Sequence, residues 1–166
     1  RILEENYLKD KDGVAWGQLI ARAREMVPVN IYDPKIRDWR KVTIVDIAQG
    51  DTLVLRHYMD EYSYSKSEFL DCFEALEKVI RVIAGIEKPA QARAPFTSTG
   101  LWDLPNWSEE SIFTKHNSII KPIVWVRIYK NGKVKVKLTS RDLAVKVARV
   151  LLGESPSLEG IDDAEP

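Results

Sequence analysis

The sequence predicts an α+β fold: a four-stranded, mainly antiparallel sheet built from two hairpins, with helices packed on one face, in the order α-ββα-loop-ββα. Three observations lead there. An amphipathic helical pattern occupies the region after residue 12, and segments 42–85 and 123–153 each repeat one succession of hairpin, amphipathic helix and glycine. Sequence identity between the two segments is slight, so the similarity lies in pattern alone.

The first helix is read after Asp12-Gly13, where Trp16, Leu19, Ile20, Ala23 and Val27 share one helical face and Pro28 ends the run. Residues 40–59 then read as a hairpin, with Val42-Thr43-Ile44-Val45 and Leu53-Val54-Leu55 on either side of Gln49-Gly50. The clearest helix follows. Ser65 and Glu68 form a capping-box pattern, Phe69, Phe73, Leu76, Ile80 and Ile83 recur at helical spacing, and Gly85 supplies the stop. Residues 86–120 lack a long period and contain Pro89, Pro95, Gly100 and Pro105, so they read as a long connection, with one short helix starting at Asn106 and Glu109. Its Phe96, Trp102, Trp107 and Phe113 argue for packing rather than disorder. The second hairpin spans residues 123–138 around Asn131-Gly132, and the last helix is capped by Thr139 with Asp142 and stopped at Gly153.

Length and composition bound the answer further. The 166 residues suit one domain, expected over residues 1–153, with an acidic and flexible tail over residues 154–166. A charged fraction of 30% suits a thermophilic protein as well as an ordinary one. No apolar run approaches the roughly 20 residues of a membrane span, and Arg1-Ile2-Leu3-Glu4-Glu5 does not open a signal peptide, so a cytoplasmic protein is expected. The missing initiator Met makes a fragment of a longer chain the expectation.

Cys72 is the single cysteine and sits in a helical pattern, where a small core residue is expected and a thiolate zinc site is excluded. His57 and His116 have no metal-ligand spacing and read as ordinary structural or surface residues. Asp46, Asp51, Asp60 and Glu61 match no metal motif, and neither a phosphate-binding glycine loop nor a serine elbow appears. The expectation is a non-enzyme with no catalytic residue, metal or cofactor.

Charge is balanced overall, with 25 bases and 25 acids, but unevenly placed. Nine Lys or Arg residues face one acid between residues 121 and 149, and residues 154–166 carry five acids and no base. A local field of this kind attracts polyanions whatever the total.

The register of the second hairpin decides what that charge does. A two-residue turn mixes apolar and charged side chains on both faces. A three-residue turn with Gly132 left-handed pairs Tyr129 with Lys133, Arg127 with Lys135 and Trp125 with Lys137, and gathers Val124, Val126, Ile128, Val134, Val136 and Leu138 on the other face. The second register gives the uniform apolar side that a half-buried sheet needs. It also displays Trp125, Arg127, Tyr129, Lys133, Lys135 and Lys137 together. In the first hairpin the matching arrangement turns Val45, Ile47, Leu53 and Leu55 inward and leaves Ile44, Val54, Arg56 and Tyr58 on the open side. Cations beside flat aromatic surfaces suit single-stranded nucleic acid, because Lys and Arg neutralise phosphates while unstacked bases lie on Trp or Tyr. Two alternatives stay open: alternating lysines also protect an edge strand from aggregation, and Trp102 and Phe96 from the long connection would turn the face into a cleft by packing over it.

The layout from Arg40-Lys41-Val42 to Tyr129-Lys130-Asn131-Gly132-Lys133-Val134-Lys135-Val136-Lys137, with its aromatic-rich connection, resembles the ThermoDBP family of archaeal single-stranded DNA-binding proteins. The resemblance implies sequence-independent binding of single strands, as in DNA replication and repair, within an aromatic-lined cleft flanked by bases. It also implies a homodimer formed by a C-terminal coiled coil. Residues 154–166 show no heptads, so such a coil would have to lie beyond this sequence. From the sheet register, the expected interface is Trp125, Arg127, Tyr129, Lys133, Lys135, Lys137, Arg56, Tyr58, Trp102 and Phe96, with single-stranded DNA as partner, RNA as the open alternative, and no membrane. A protein-interaction module and a metal-dependent nuclease are the competing readings.

Overall fold

A computed structural model describes residues 2–58, 66–89 and 112–153, with side chains from residue 13 in the first segment and residue 67 in the second. Ser65, Asp60, Glu61, the helix expected at Asn106, the aromatics Phe96 and Trp102, and the acidic tail lie outside the described residues.

The chain is α+β, but its sheet is larger than the sequence predicts. Helix α1 (Ile2–Ala23) runs into a short 3-10 turn, and the strands β1 (Asn30–Asp33) and β2 (Asp38–Lys41) form a separate antiparallel ribbon. Helix α2 (Ile44–Ile47) is a single turn leading into β3 (Ala48–Gln49) and β4 (Thr52–Arg56). Helix α3 (Lys66–Ile83), strands β5 (Lys115–Asn117), β6 (Ile123–Ile128) and β7 (Lys133–Leu138), and helix α4 (Arg141–Leu151) complete the order. The main sheet has five strands in the order β3-β4-β7-β6-β5, all antiparallel.

The core lies between one sheet face and the helices. Leu53 and Leu55 of β4, Val134, Val136 and Leu138 of β7, and Ile123, Val126 and Ile128 of β6 are all buried. Each such side chain stabilises the fold by about 1.5–3 kcal/mol relative to exposure. Helix α4 closes this face with Leu143, Ala144, Val147, Val150 and Leu151, and α3 packs against α4 and α1. The Arg24 guanidinium donates to the carbonyls of Leu151 (2.9 Å) and Val150 (3.2 Å) at the end of α4, where the Val150 carbonyl also accepts from the Gly153 amide (3.1 Å).

Helix α3 follows the sequence expectation closely: Phe69, Phe73, Leu76, Ile80 and Ile83 are all buried. Beyond it the amides of Gly85 and Ile86 donate to the carbonyls of Val82 (3.0 Å) and Arg81 (2.9 Å), with Gly85 at φ +78°. This double bond requires a left-handed residue that glycine adopts at no steric cost. Cys72 is buried and donates to Glu25 Oε2 at 3.0 Å; desolvation, then the adjacent carboxylate, push its thiol up to about 12, so it stays protonated and acts as a core residue.

Several expectations are corrected. The first helix begins well before Gly13. Residues 42–45 form no strand, because the Asp46 carboxylate accepts from both the amide (2.8 Å) and the hydroxyl (2.9 Å) of Thr43, and this capping starts a helical turn. Val45 is consequently 74% exposed rather than inward, and Ile44 packs partly against the core rather than on the open side. An irregularity in β6 between Ile123 and Trp125 seats Ile123 in the core and leaves Val124, expected inside, 38% exposed. Ser140, not Thr139, caps α4, accepting from the Leu143 amide at 3.1 Å. The connection read over residues 86–120 contains β5, which makes the sheet five-stranded, and the β1–β2 ribbon was not expected at all.

Candidate nucleic-acid interface

The β6–β7 turn adopts the three-residue register. Tyr129 N–H donates to the Lys133 carbonyl (2.8 Å), Gly132 N–H to the Tyr129 carbonyl (3.2 Å), and Lys133 N–H to Asn131 Oδ1 (3.1 Å), with Gly132 at φ +97°. Trp125 stands opposite Lys137 and Arg127 opposite Lys135, while Val126 faces Val136 and Ile128 faces Val134 on the core side. A shift of one residue would exchange the two sets.

His57 fixes this turn from the neighbouring strand. Its backbone N–H donates to the Gly132 carbonyl at 2.8 Å, and its ring Nε2 lies 2.6 Å from the Tyr129 carbonyl, to which it donates. The ring is stacked on Phe113 at 5.8 Å and meets Phe69 edge-on at 6.2 Å. Burial, chiefly, and then the Arg56 charge depress its pKa below the ordinary histidine value. His57 is thus a structural histidine, as the sequence suggests, and one that sets where Tyr129 sits.

Strand pairing arranges the outer face in rows. Gln49, Thr52, Lys137, Trp125 and Asn117 form one; Val54, Lys135, Arg127 and Lys115 the next; Arg56 and Lys133 pair directly in the third, beside Tyr129. Neighbouring strands lie about 4.8 Å apart and alternate residues about 6.6 Å along a strand. Six cations therefore share this face: Arg56, Lys115, Arg127, Lys133, Lys135 and Lys137. Among the described residues they make a single ion pair, Lys137 Nζ with Asp51 Oδ2 at a loose 3.9 Å.

The aromatic residues are half-buried among these cations. Lys115 Nζ lies 5.3 Å from the Trp125 ring centre, and the Tyr129 ring has Arg127 Cζ at 5.1 Å and Lys135 Nζ at 5.6 Å. Cation–π contacts at partly exposed positions are worth about 0.5–1 kcal/mol and orient both partners. Lys115 was missed because β5 is three residues long and carries no alternating apolar signal.

Of the other expected site residues, Arg56 takes its place on the face. Tyr58 is exposed but lies past the end of β4 and borders a different cavity, of about 390 Å³, with Phe69 and Cys72. Phe96 and Trp102 lie outside the described residues. Of the carboxylates considered for a metal, Asp46 is engaged by the Arg40 guanidinium (2.7 and 2.9 Å) and Thr43, and Asp51 leans toward Lys137. Its hydrogen bonds, that to Arg40 foremost, hold Asp46 well below the usual carboxylate range. No described helix is long and apolar enough to cross a membrane.

A smaller cleft of about 280 Å³ adjoins the third row. Arg56, Lys133 and Val54 border it from the sheet, Asn131 and Gly132 from the turn, and Val42, Ile47 and Gln49 from the α2 region.

No family model, curated protein or solved structure matches this chain. The functional reading of the face accordingly rests on its own geometry.

Proposed function

We propose that this protein binds single-stranded nucleic acid, DNA foremost, without sequence preference and without catalysis, through the outer face of the five-stranded sheet. The observation that carries the proposal is the position of β7. Lys133, Lys135 and Lys137 lie on the central strand of five, paired on both sides, so they do not serve to protect an edge. Lys133 stands directly opposite Arg56 and Lys135 directly opposite Arg127, and like charges directly opposed across strands destabilise a sheet. A fold that accepts this repulsion gains from it when a polyanion supplies the countercharge. Trp125 and Tyr129 offer π-faces for unstacked bases in the same rows.

A gel-shift series with single-stranded DNA, duplex DNA and RNA, first with EDTA and then with Mg²⁺, tests it. Retardation of single strands in EDTA is expected, with no cleavage after Mg²⁺ is added. Equal binding of duplex, or none of any nucleic acid, would sink the proposal.

One observation favours a second reading, a protein-interaction module. Tyr32 and Trp39 face each other on the β1–β2 ribbon in an edge contact of 5.9 Å and are 52% and 61% exposed. Exposed paired aromatics are a common feature of protein-docking surfaces. Failure to bind any nucleic acid would leave that reading in possession.

A further inference from the structure

We infer that the cleft beside the third row is a subsite for one nucleobase, turned out of a strand whose phosphates lie on Arg56 and Lys133. The inference rests on the single-strand reading of the sheet face and adds a place where a base leaves the platform. Three features point to this ligand chemistry. Part of the wall is apolar, with Val42 and Ile47 buried and Val54 half-buried, and at about 280 Å³ the cleft is close to the lower limit of small-ligand pockets. Two cations stand at its border, and these same residues belong to the platform, so a phosphate chain crossing the rows reaches the cleft without a break.

The third feature is hydrogen-bonding capacity. Asn131 uses its Oδ1 to accept from Lys133 N–H, and Gln49 uses its Nε2 to donate to the Asp46 carbonyl at 3.4 Å. Among the described residues this leaves a donor on Asn131 and an acceptor on Gln49, the pair that a base edge, which offers both functions, is able to satisfy. Asp46 also borders the cleft, yet its charge is matched by the Arg40 fork, so it does not repel the phosphate as a bare carboxylate would.

Titration of the ¹⁵N-labelled protein with dTMP, dAMP and ribose 5-phosphate, followed by amide chemical shifts, tests the subsite. Both nucleotides are expected to shift the amides of Gln49, Val54, Asn131 and Gly132 saturably, at least tenfold more tightly than ribose 5-phosphate. Val54→Phe, which fills the cleft, should abolish this response, and Gln49→Ala, an exposed change that leaves the fold intact, should weaken it severalfold. Shifts confined to the amides around Lys115, Arg127 and Lys135, with no preference for a base-bearing ligand, would overturn the subsite while leaving the platform reading intact. Absence of oligonucleotide binding in the parent protein would overturn both.

Discussion

Arg127 and Lys135 stand directly opposite each other on neighbouring strands, and both lie within 6 Å of the centre of the Tyr129 ring. Two like charges at a paired position destabilise the sheet by a few tenths of a kcal/mol up to about 1 kcal/mol, and the ring between them returns part of that through its negative face. Lys135→Gln is therefore expected to leave the melting temperature unchanged or raise it, while weakening binding to single-stranded DNA. The slope of log affinity against log salt should fall in magnitude by up to about 0.7, the contribution of one phosphate contact on a single strand. Thermal melts without DNA and titrations at several salt concentrations check both halves. A lower melting temperature with an unchanged slope would make Lys135 a packing residue.

Trp125 and Tyr129 give a second separation of binding from folding. Both are half-buried, so their removal costs less stability than the roughly 3–5 kcal/mol expected when a fully buried large aromatic is cut to Ala. If they stack on bases, Trp125→Ala and Tyr129→Ala each weaken single-strand binding by about 1–3 kcal/mol, with little dependence on base identity. Melting temperature, affinity and quenching of tryptophan fluorescence on adding DNA distinguish the outcomes. Parent-like affinity in both variants would remove the aromatic half of the proposed interface.

These two residues also show what the sequence was able to reveal. The β6–β7 register was readable because alternation and turn chemistry agree: Gly132 provides the left-handed position, and only that register places Val126, Ile128, Val134 and Val136 on one side. Helix α3 was readable for a similar reason, since its apolar stripe and Gly85 stop agree over 18 residues. Elements of two to four residues were not. The stretch 42–45 has strand-like composition, and Thr43 with Asp46 outweighs it through local hydrogen bonds that composition does not register. The ribbon did leave a trace, in which Asp33-Pro34 signals a turn: Asp33 Oδ1 accepts from the Lys35 amide at 2.9 Å, between Ile31-Tyr32 and Trp39-Arg40. Strand β5 left almost none, because its position depends on β6 beside it rather than on its own residues.

The ribbon supplies a third prediction. An isolated two-stranded hairpin is marginal in water, and this one is tied down by Arg40, whose Nε reaches Asp33 (2.8 Å) while Nη1 and Nη2 grip Asp46 (2.7 and 2.9 Å). Asp46→Ala removes the fork's partner and the Thr43 capping interactions together. Loss of helix-start capping alone costs about 0.5–2 kcal/mol. The melting temperature should fall modestly, and trypsin should cut faster after Lys35 and Arg37, which are exposed in the turn. An unchanged cleavage rate at those two sites would show that the ribbon is held by Ile31 and the Val42–Val29 backbone bond instead.

The last prediction concerns pH and the turn that positions Tyr129. His57 has a folded pKa below its ordinary value of 6.5, because burial disfavours the imidazolium, with the Arg56 charge a lesser contribution in the same direction, against an opposing hydrogen bond to Tyr129. The unfolded chain therefore binds a proton at this residue more readily than the folded one. Its contribution to stability is complete above pH 6.5 and is lost as pH falls from there toward the folded value. The carboxylates held low by Arg40, Asp33 and Asp46, act in a separate and lower window, since their contribution begins to fade only near the ordinary carboxylate value of 3.8. Melting temperature between pH 8 and pH 5 should thus decline in the parent below about pH 6.5. In His57→Gln, whose amide is able to keep a donor toward the Tyr129 carbonyl, the curve should start lower and stay flatter. If the two curves run parallel across that range, another group titrates there and His57 holds the turn through its backbone and ring contacts without making the fold sensitive to pH.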